Sequence, residues 1–371
     1  MIQKQILFLT NWYPTNENPS FGIFVKRHAE AIAQNFNVTI VHLNFRRGNG
    51  LIHYSFDKKE TPLNEYELNF SGFFYRVVYY LPGLVAWILY RKLRGIHAAN
   101  KFDMIISNVI FNSGIVGHYL SKRLNIKQVH IEHWSGIQNF LRKNILRKRA
   151  LKALINMESI IVVSKQLKES INQIDKNINV QIVPNVISDY FVYNEQFIKE
   201  HELSFLAVAN WKYPKRLDLL LDGLTSFHFE NPEIIFVLKL IGQGPLISDK
   251  LLSDLPFKFE RIPIIDNMDL PKIYNQSDFL LHFSDFETFS IVPLEALACG
   301  CPVIGSRVGV LPEFINEKNG RLVENYVKSI SNAIRESIHS KYSRKDISNQ
   351  IIYLFSKDIV AAKFRQILQD F

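Results

Sequence analysis

The chain has 371 residues, 47% hydrophobic and 21% charged, a balance that excludes a disordered or fibrous protein and allows two domains with a core each. No apolar run reaches the roughly 18 residues of a spanning helix, and ILFLT near the N-terminus is too short for a signal-peptide core. The net charge of +9 is uneven, with 24 Lys and Arg against 12 Asp and Glu in residues 1–190 and 20 against 23 thereafter, so the first half suits an anionic membrane or nucleic acid.

Short β-rich apolar runs alternate with helical patterns along the chain. Strands are expected at Gln5–Thr10, Val38–Leu43, Met104–Ser107, Gln128–Glu132, Ile160–Ser164 and Val180–Val183. In the second half they are expected at Phe205–Ala209, Ile234–Leu240, Phe259–Ile262, Phe279–His282 and Pro302–Gly305. Most are continuous apolar runs, the pattern of parallel strands buried on both faces. Helical spacing lies between them, as in Ile23–Gln34 and Leu217–Leu224. Two successive βαβ series imply two doubly wound α/β domains, 1–190 and 191–371, with a link near Ser188–His201. The last helix has the option of packing back on the first domain. Cys299 and Cys301, spaced Cys-Gly-Cys, are poorly placed for a disulfide and incomplete as a zinc site, so they read as packing residues in a reducing cytoplasm.

In such sheets ligands bind beyond the carboxyl ends of strands, where helix N-termini project positive potential. The stretch HFSDFETFSIVPLEALACGCPVIGS has this form. After the strand Phe279–His282, Ser284–Thr288 is a loop, Ser290 suits an N-cap, and Pro293 is tolerated in the first helical turn. Gly300 stops the helix. Glu287 then lies on the loop and Glu295 in the early helix near its free amides. Amides that hold a diphosphate, flanked by carboxylates that take sugar or ribose hydroxyls, make a sugar-nucleotide pocket. Either glutamate alone would equally suit the positive end of a helix.

The continuation, RVGVLPEFINEKNGRLV, completes a pattern that resembles the donor-site segment of retaining glycosyltransferase family 4. Its elements are Glu287, Glu295, Gly300 to Val303, Gly309 to Glu313 and Gly320 to Val323. Ser290 stands where many members have Gly. VANWKYPKRLDLLLDGL is similar to the family's strand, loop and helix at the donor diphosphate, with Lys215 as the family lysine. Asn210 replaces a frequent Arg, and Arg216 offers a compensating charge. LIGQGP, with Gly242 and Gly244, resembles the Gly-x-Gly-Pro turn, and VPNVI the junction before the second domain. NWYPTNENPSFGIFVKRHAEAI resembles the N-terminal loop, where Gly22 would let backbone approach a donor phosphate. QVHIEHWSG places His133 where members have a histidine near the donor sugar.

The resemblance implies a GT-B fold, two Rossmann-like domains facing a central cleft, the first binding acceptor and the second the nucleotide sugar. It implies a retaining transferase using a nucleoside diphosphate sugar, with His133, Glu287 and Lys215 as catalytic residues and no catalytic metal. No acidic cluster with metal-ligand spacing is evident. Gly22, Asn210, Lys215, Arg216, Gly242, Gly244, Glu287, Thr288, Phe289, Ser290, Ile291 and Glu295 would bind the donor. Glu287 would take sugar hydroxyls and Glu295 ribose hydroxyls. A sugar-nucleotide epimerase of the same fold and a catalytically silent glycan-binding relative are the alternatives. The first is disfavoured by the whole-chain match, the second by the intact Glu287, Glu295, Lys215 and His133.

The basic half contains FFYRVVYYLPGLVAWILYRKLRG (Phe73–Gly95) and LRKNILRKRALKAL. Each reads two ways: a core helix or interfacial stretch for the first, a solvated basic face or lipid contact for the second. Nothing resembles a nucleic-acid module. The whole reading is a cytoplasmic, membrane-peripheral enzyme of cell-surface polysaccharide or lipopolysaccharide synthesis, acting on a lipid-linked glycan beside an anionic membrane.

Overall fold

The computed structural model describes residues 3–198 and 202–371. The chain forms two compact units, Met1–Val186 with Lys357–Phe371, and Ile187–Ser356. In the first unit the strands are β1 (Gln5–Thr10), β2 (Asn37–Arg46), β3 (His53–Lys58), β4 (Asn64–Ser71), β5 (Met104–Asn108), β6 (Lys127–Glu132), β7 (Ser159–Val162) and β8 (Val180–Ile182). They lie in the order β3-β4-β2-β1-β5-β6-β7-β8, parallel except for the β3–β4 pair. The second unit holds β9 (Leu203–Val208), β10 (Phe236–Ile241), β11 (Lys258–Ile262), β12 (Phe279–His282), β13 (Val303–Ser306) and β14 (Gly320–Val323). Their order is β11-β10-β9-β12-β13-β14, all parallel. This is the doubly wound order, and its direction reverses between β9 and β12.

Apolar clusters pack the sheets. In the first unit, Ile6, Phe8, Val38 and Ile106 bury against the helix Ile23–Ala33 and against Val360, Ala361, Phe364 and Leu368 of the final helix Lys357–Gln369. Lys4 Nζ also donates to the Leu368 and Gln369 carbonyls, tying that helix to the first unit. In the second unit, Leu206, Leu280, Leu294 and Val303 pack with the free thiols Cys299 and Cys301. The second unit begins at Ile187 because Ile187 and Phe191 are already in its core. The stretch read from sequence as a link is therefore bound down over its described part. Tyr193 N donates to Ser348 Oγ and Asn194 N to Asn275 Oδ1; residues 199–201 lie outside the described residues.

β3, β4 and β14 were not expected from sequence. β3 is an edge strand with no buried position, and β4 alternates buried with half-exposed residues, so neither shows a continuous apolar run.

Candidate functional site

The switch point of the second sheet is flanked by the loops that follow β9 and β12. Direct hydrogen bonds stitch them together. Arg216 N donates to Phe283 O (3.0 Å), Asp285 N to Pro214 O (2.9 Å) and Ser284 Oγ to Pro214 O (3.2 Å). Ser284 N donates in turn to Ser306 Oγ at the end of β13 (3.0 Å). The turn carrying Gly242 and Gly244 closes on the same loop, with Trp211 N donating to Gln243 O (2.7 Å) and Leu246 N to Trp211 O (3.0 Å).

This stitching brings Lys215 onto Glu287, 72 residues away in sequence; Lys215 Nζ donates to Glu287 Oε1. Only 18% of the lysine side chain and 12% of the glutamate are exposed. His282, the last residue of β12, joins them, its Nε2 lying 3.0 Å from the same Oε1. Burial alone would raise the Glu287 carboxyl, but the His282 imidazole and the Lys215 ammonium outweigh it and hold the group at about 2. Burial and Lys215 push His282 below its ordinary value against the pull of Glu287. Gly309 backs the loop with φ 57, and a Cβ there would collide with the Glu287 carbonyl oxygen, so only glycine fits.

A pH dependence follows. The folded value lies below the ordinary 4.5, so Glu287 contributes stability that is present above that pH and lost as pH falls toward 2. The shift corresponds to roughly 3 kcal/mol. In urea unfolding, the stability advantage of wild type over Glu287→Gln should shrink by that order between about pH 5 and pH 2. A pH-independent advantage would remove the ionised carboxylate from the account.

The helix Ile291–Ala298 starts beside this cluster. Ser290 occupies its N-cap position, but its hydroxyl caps no amide. Instead, Ser290 Oγ lies 3.0 Å from His282 Nε2. The first-turn amides therefore have no side-chain cap and face the loop end with the positive pole of the helix, which suits an anion. Glu295 lies five residues past the N-cap position Ser290, where the sequence reading put it. It sits in the second turn, past the free amides, and is only 7% exposed. Helical side chains lean toward the N-terminus, which carries its carboxylate back toward the first turn. Thr288, Phe289 and Ile291 are half-buried, and Phe289 packs toward Phe314 and Phe355. Asn210 is exposed. Arg216 is engaged on two sides, by both oxygens of Asp218 and by Asp285 Oδ1 at 2.9 Å, so its charge is already partnered.

In the first unit, Gly22 caps the helix Ile23–Ala33 with φ 69, where a Cβ would lie 2.6 Å from the Trp12 carbonyl carbon. His133 follows β6 and packs on Phe24 (4.9 Å) and His28 (5.2 Å). Both of its ring nitrogens lack a hydrogen-bond partner among the described residues. Burial, then His28 and His130, hold it well below its ordinary value, so it is a neutral imidazole able to donate or accept. Its backbone is anchored by Glu132, whose Oε1 accepts from His133 N (2.9 Å) and Trp134 N (2.8 Å). Glu132 Oε2 accepts from Ile110 N (2.9 Å) and lies 3.2 Å from His130 Nε2, with Ser107 Oγ 3.0 Å from His130 Nδ1. The Ser107–His130–Glu132 series has the partner order of a hydrolase triad but is wholly buried, so it orders loops and meets no substrate.

Sequence reasoning missed His282 and Glu132. The available signals were a histidine closing a strand five residues before Glu287, and a carboxylate at the end of a buried strand.

Residues 202–340 match the family model described as Glycosyl transferases group 1. An uncharacterised glycosyltransferase of Methanocaldococcus jannaschii is 29% identical over 270 residues, covering 70% of this chain and 72% of that protein. One subunit of the human phosphatidylinositol N-acetylglucosaminyltransferase is 22% identical over 269 residues, covering 70% of this chain and 52% of its own length, so the match spans about half of that relative. Among solved structures, HepE of Anabaena in complex with UDP aligns with a TM-score of 0.72 at 15% identity, over 99% of this chain and 100% of the other.

Proposed function

We propose that this chain, whose residues 202–340 match the glycosyl transferases group 1 family and whose fold is GT-B, is a member of that family and transfers sugar from a nucleoside diphosphate sugar to a lipid-linked glycan with retained configuration. The product would enter cell-surface polysaccharide or lipopolysaccharide. The observation that carries the reading is the cluster of Lys215, ionised Glu287 and uncapped helix amides at the switch point of the second sheet. A UDP complex of a protein with the same fold and a relative named for phosphatidylinositol support the donor and acceptor classes.

In this reading Lys215 and the first-turn amides take the charge of the departing diphosphate. Glu287 accepts donor-sugar hydroxyl protons and Glu295 those of the ribose. His133 serves the reacting carbon, Gly22 a donor phosphate, and no catalytic metal is assigned. The test is to incubate the full chain with UDP, GDP, ADP and dTDP sugars, follow nucleoside diphosphate release, and read the product anomer by NMR. One donor class should turn over with retention. Failure of every donor to bind or react, or an inverted product, would overturn the reading.

Among the described residues no helix is long and apolar enough to cross a membrane. We place the enzyme on the cytoplasmic membrane face, through its first unit. The helix Pro82–Asn100 buries Val85, Ile88, Leu89 and Leu93 but leaves Leu84 and Trp87 exposed, joined by Leu81, Phe73 and Phe74. Arg91 lies over the Trp87 ring at 5.1 Å and Lys92 over Tyr54 at 5.6 Å, adding charge beside the exposed rings. Tyr80 meets Phe111 (5.7 Å) and Phe111 meets Phe140 (4.9 Å), which links this stretch to the helices Ile137–Lys143 and Arg147–Ile155. Arg147, Lys148 and Arg149 are exposed there.

Each cation near an anionic bilayer contributes about 1 kcal/mol. Changing Arg147, Lys148 and Arg149 to Ser should therefore weaken binding to anionic vesicles by roughly a hundredfold in co-sedimentation. High salt should reverse most wild-type binding, leaving a remainder held by Trp87 and its neighbours. Equal binding to neutral and anionic vesicles, or none to either, would sink the membrane claim.

A further inference from the structure

Three polar groups converge on one ring nitrogen. His282 Nε2 lies 3.0 Å from Glu287 Oε1, 3.0 Å from Ser290 Oγ and 3.4 Å from Lys215 Nζ. An ionised carboxylate only accepts, so the contact with Glu287 requires the imidazole proton on Nε2. The Ser290 hydroxyl, with two lone pairs and a rotating proton, is the other group able to accept there, while the Lys215 protons go to Glu287.

The histidine is held more firmly than the glutamate it meets. It is buried at the end of β12, paired in register with Gly305 of β13, and a Cβ on Gly305 would lie 2.6 Å from the His282 carbonyl oxygen. Glu287 lies on the loop beyond. Among the described residues, the hydrogen bonds of its carboxylate fall on Oε1, from Lys215 and from His282, which leaves Oε2 as the oxygen able to accept from a ligand.

We propose that His282 is a positioning residue that fixes Oε1 of Glu287 as the anchored oxygen and presents Oε2 to a hydroxyl of the donor sugar, with Ser290 holding the imidazole in that orientation. This rests on the reading of Glu287 as the acceptor for donor-sugar hydroxyls. It also accounts for a serine at position 290, since a glycine there would leave the ring without its hydroxyl partner. Burial keeps the imidazole neutral, so it has one ring proton to give.

Two measurements test it on the full chain. The first is ¹⁵N NMR of His282 without ligand, where the Nε2–H tautomer is expected at neutral pH; an Nδ1–H tautomer overturns the proposal whatever the ligand. The second is calorimetry with UDP against UDP-glucose, then GDP against GDP-mannose. For the pair that wild type binds, His282→Leu should weaken the sugar nucleotide by about tenfold while changing the free diphosphate little. His282→Gln, whose Nε2 amide stands at the same remove from the backbone, should recover most of that loss. Equal loss for both ligands, no loss, or no rescue by glutamine would each overturn the positioning role while leaving the donor site intact. If wild type binds no sugar nucleotide, the donor-site reading itself fails and this inference with it. Should the leucine variant not fold, the tautomer and the glutamine variant decide.

Discussion

Lys215→Ala is expected to lower nucleoside diphosphate release from the preferred sugar nucleotide by about a hundred- to a thousandfold, the loss typical of one donor aimed at developing charge. The adjacent Arg216 is engaged by Asp218 and Asp285 and does not take the place of the lysine, which is mostly buried against Glu287. Removing it also leaves Glu287 with His282 as its one neighbour in this cluster, so the variant should lose stability as a broken buried pair does. Stability and rate separate in the double variant Lys215→Ala with Glu287→Gln, which restores neutrality without restoring the cation. The rate should stay low while stability partly returns. Glu287→Gln alone should impair sugar recognition more than diphosphate binding, and Glu295→Gln the nucleoside part. An unchanged rate in Lys215→Ala would place that side chain outside the reaction.

Glu132→Ala should cost the first unit at least about 3 kcal/mol, and more if the loops do not collapse. The carboxylate is wholly buried and accepts from three backbone amides, those of Ile110, His133 and Trp134, and it faces His130. Alanine orphans all three donors, each carrying about 1–3 kcal/mol of unmet desolvation. Glu132→Gln keeps the shape and one carbonyl oxygen, so it should fall between alanine and wild type. Urea unfolding reports the loss, and hydrogen exchange over residues 107–136 locates it. Exchange in this segment that matches wild type would mean that water or a shifted loop satisfies those amides.

The β9 loop shows where legibility ends. Lys215 was readable through the resemblance to the family's strand, loop and helix at the donor diphosphate, and Glu287 and Glu295 because they flank the start of a short helix. That Glu295 is mostly buried depends on what packs over its helix, and Ser290 moves from cap to histidine partner for a reason outside its own segment. Arg216, a candidate phosphate ligand by charge, is claimed by Asp285 from the β12 loop.

The sequence by itself determined the layered α/β architecture, since unbroken apolar runs such as Ile6–Leu9 and Ile160–Val162, alternating with helical spacing, fit strands buried on both faces of a parallel sheet, and it determined which loops carry charge. Strand adjacency was decided by the tertiary structure. β9 pairs with β12, more than seventy residues on, and that pairing sets Lys215 against Glu287 and His282. Periodicity is written in neighbouring residues and survives reading in one dimension. The partner of a buried charge is chosen by which strands the fold lays side by side, and the low polarity there turns that choice into a fixed protonation state.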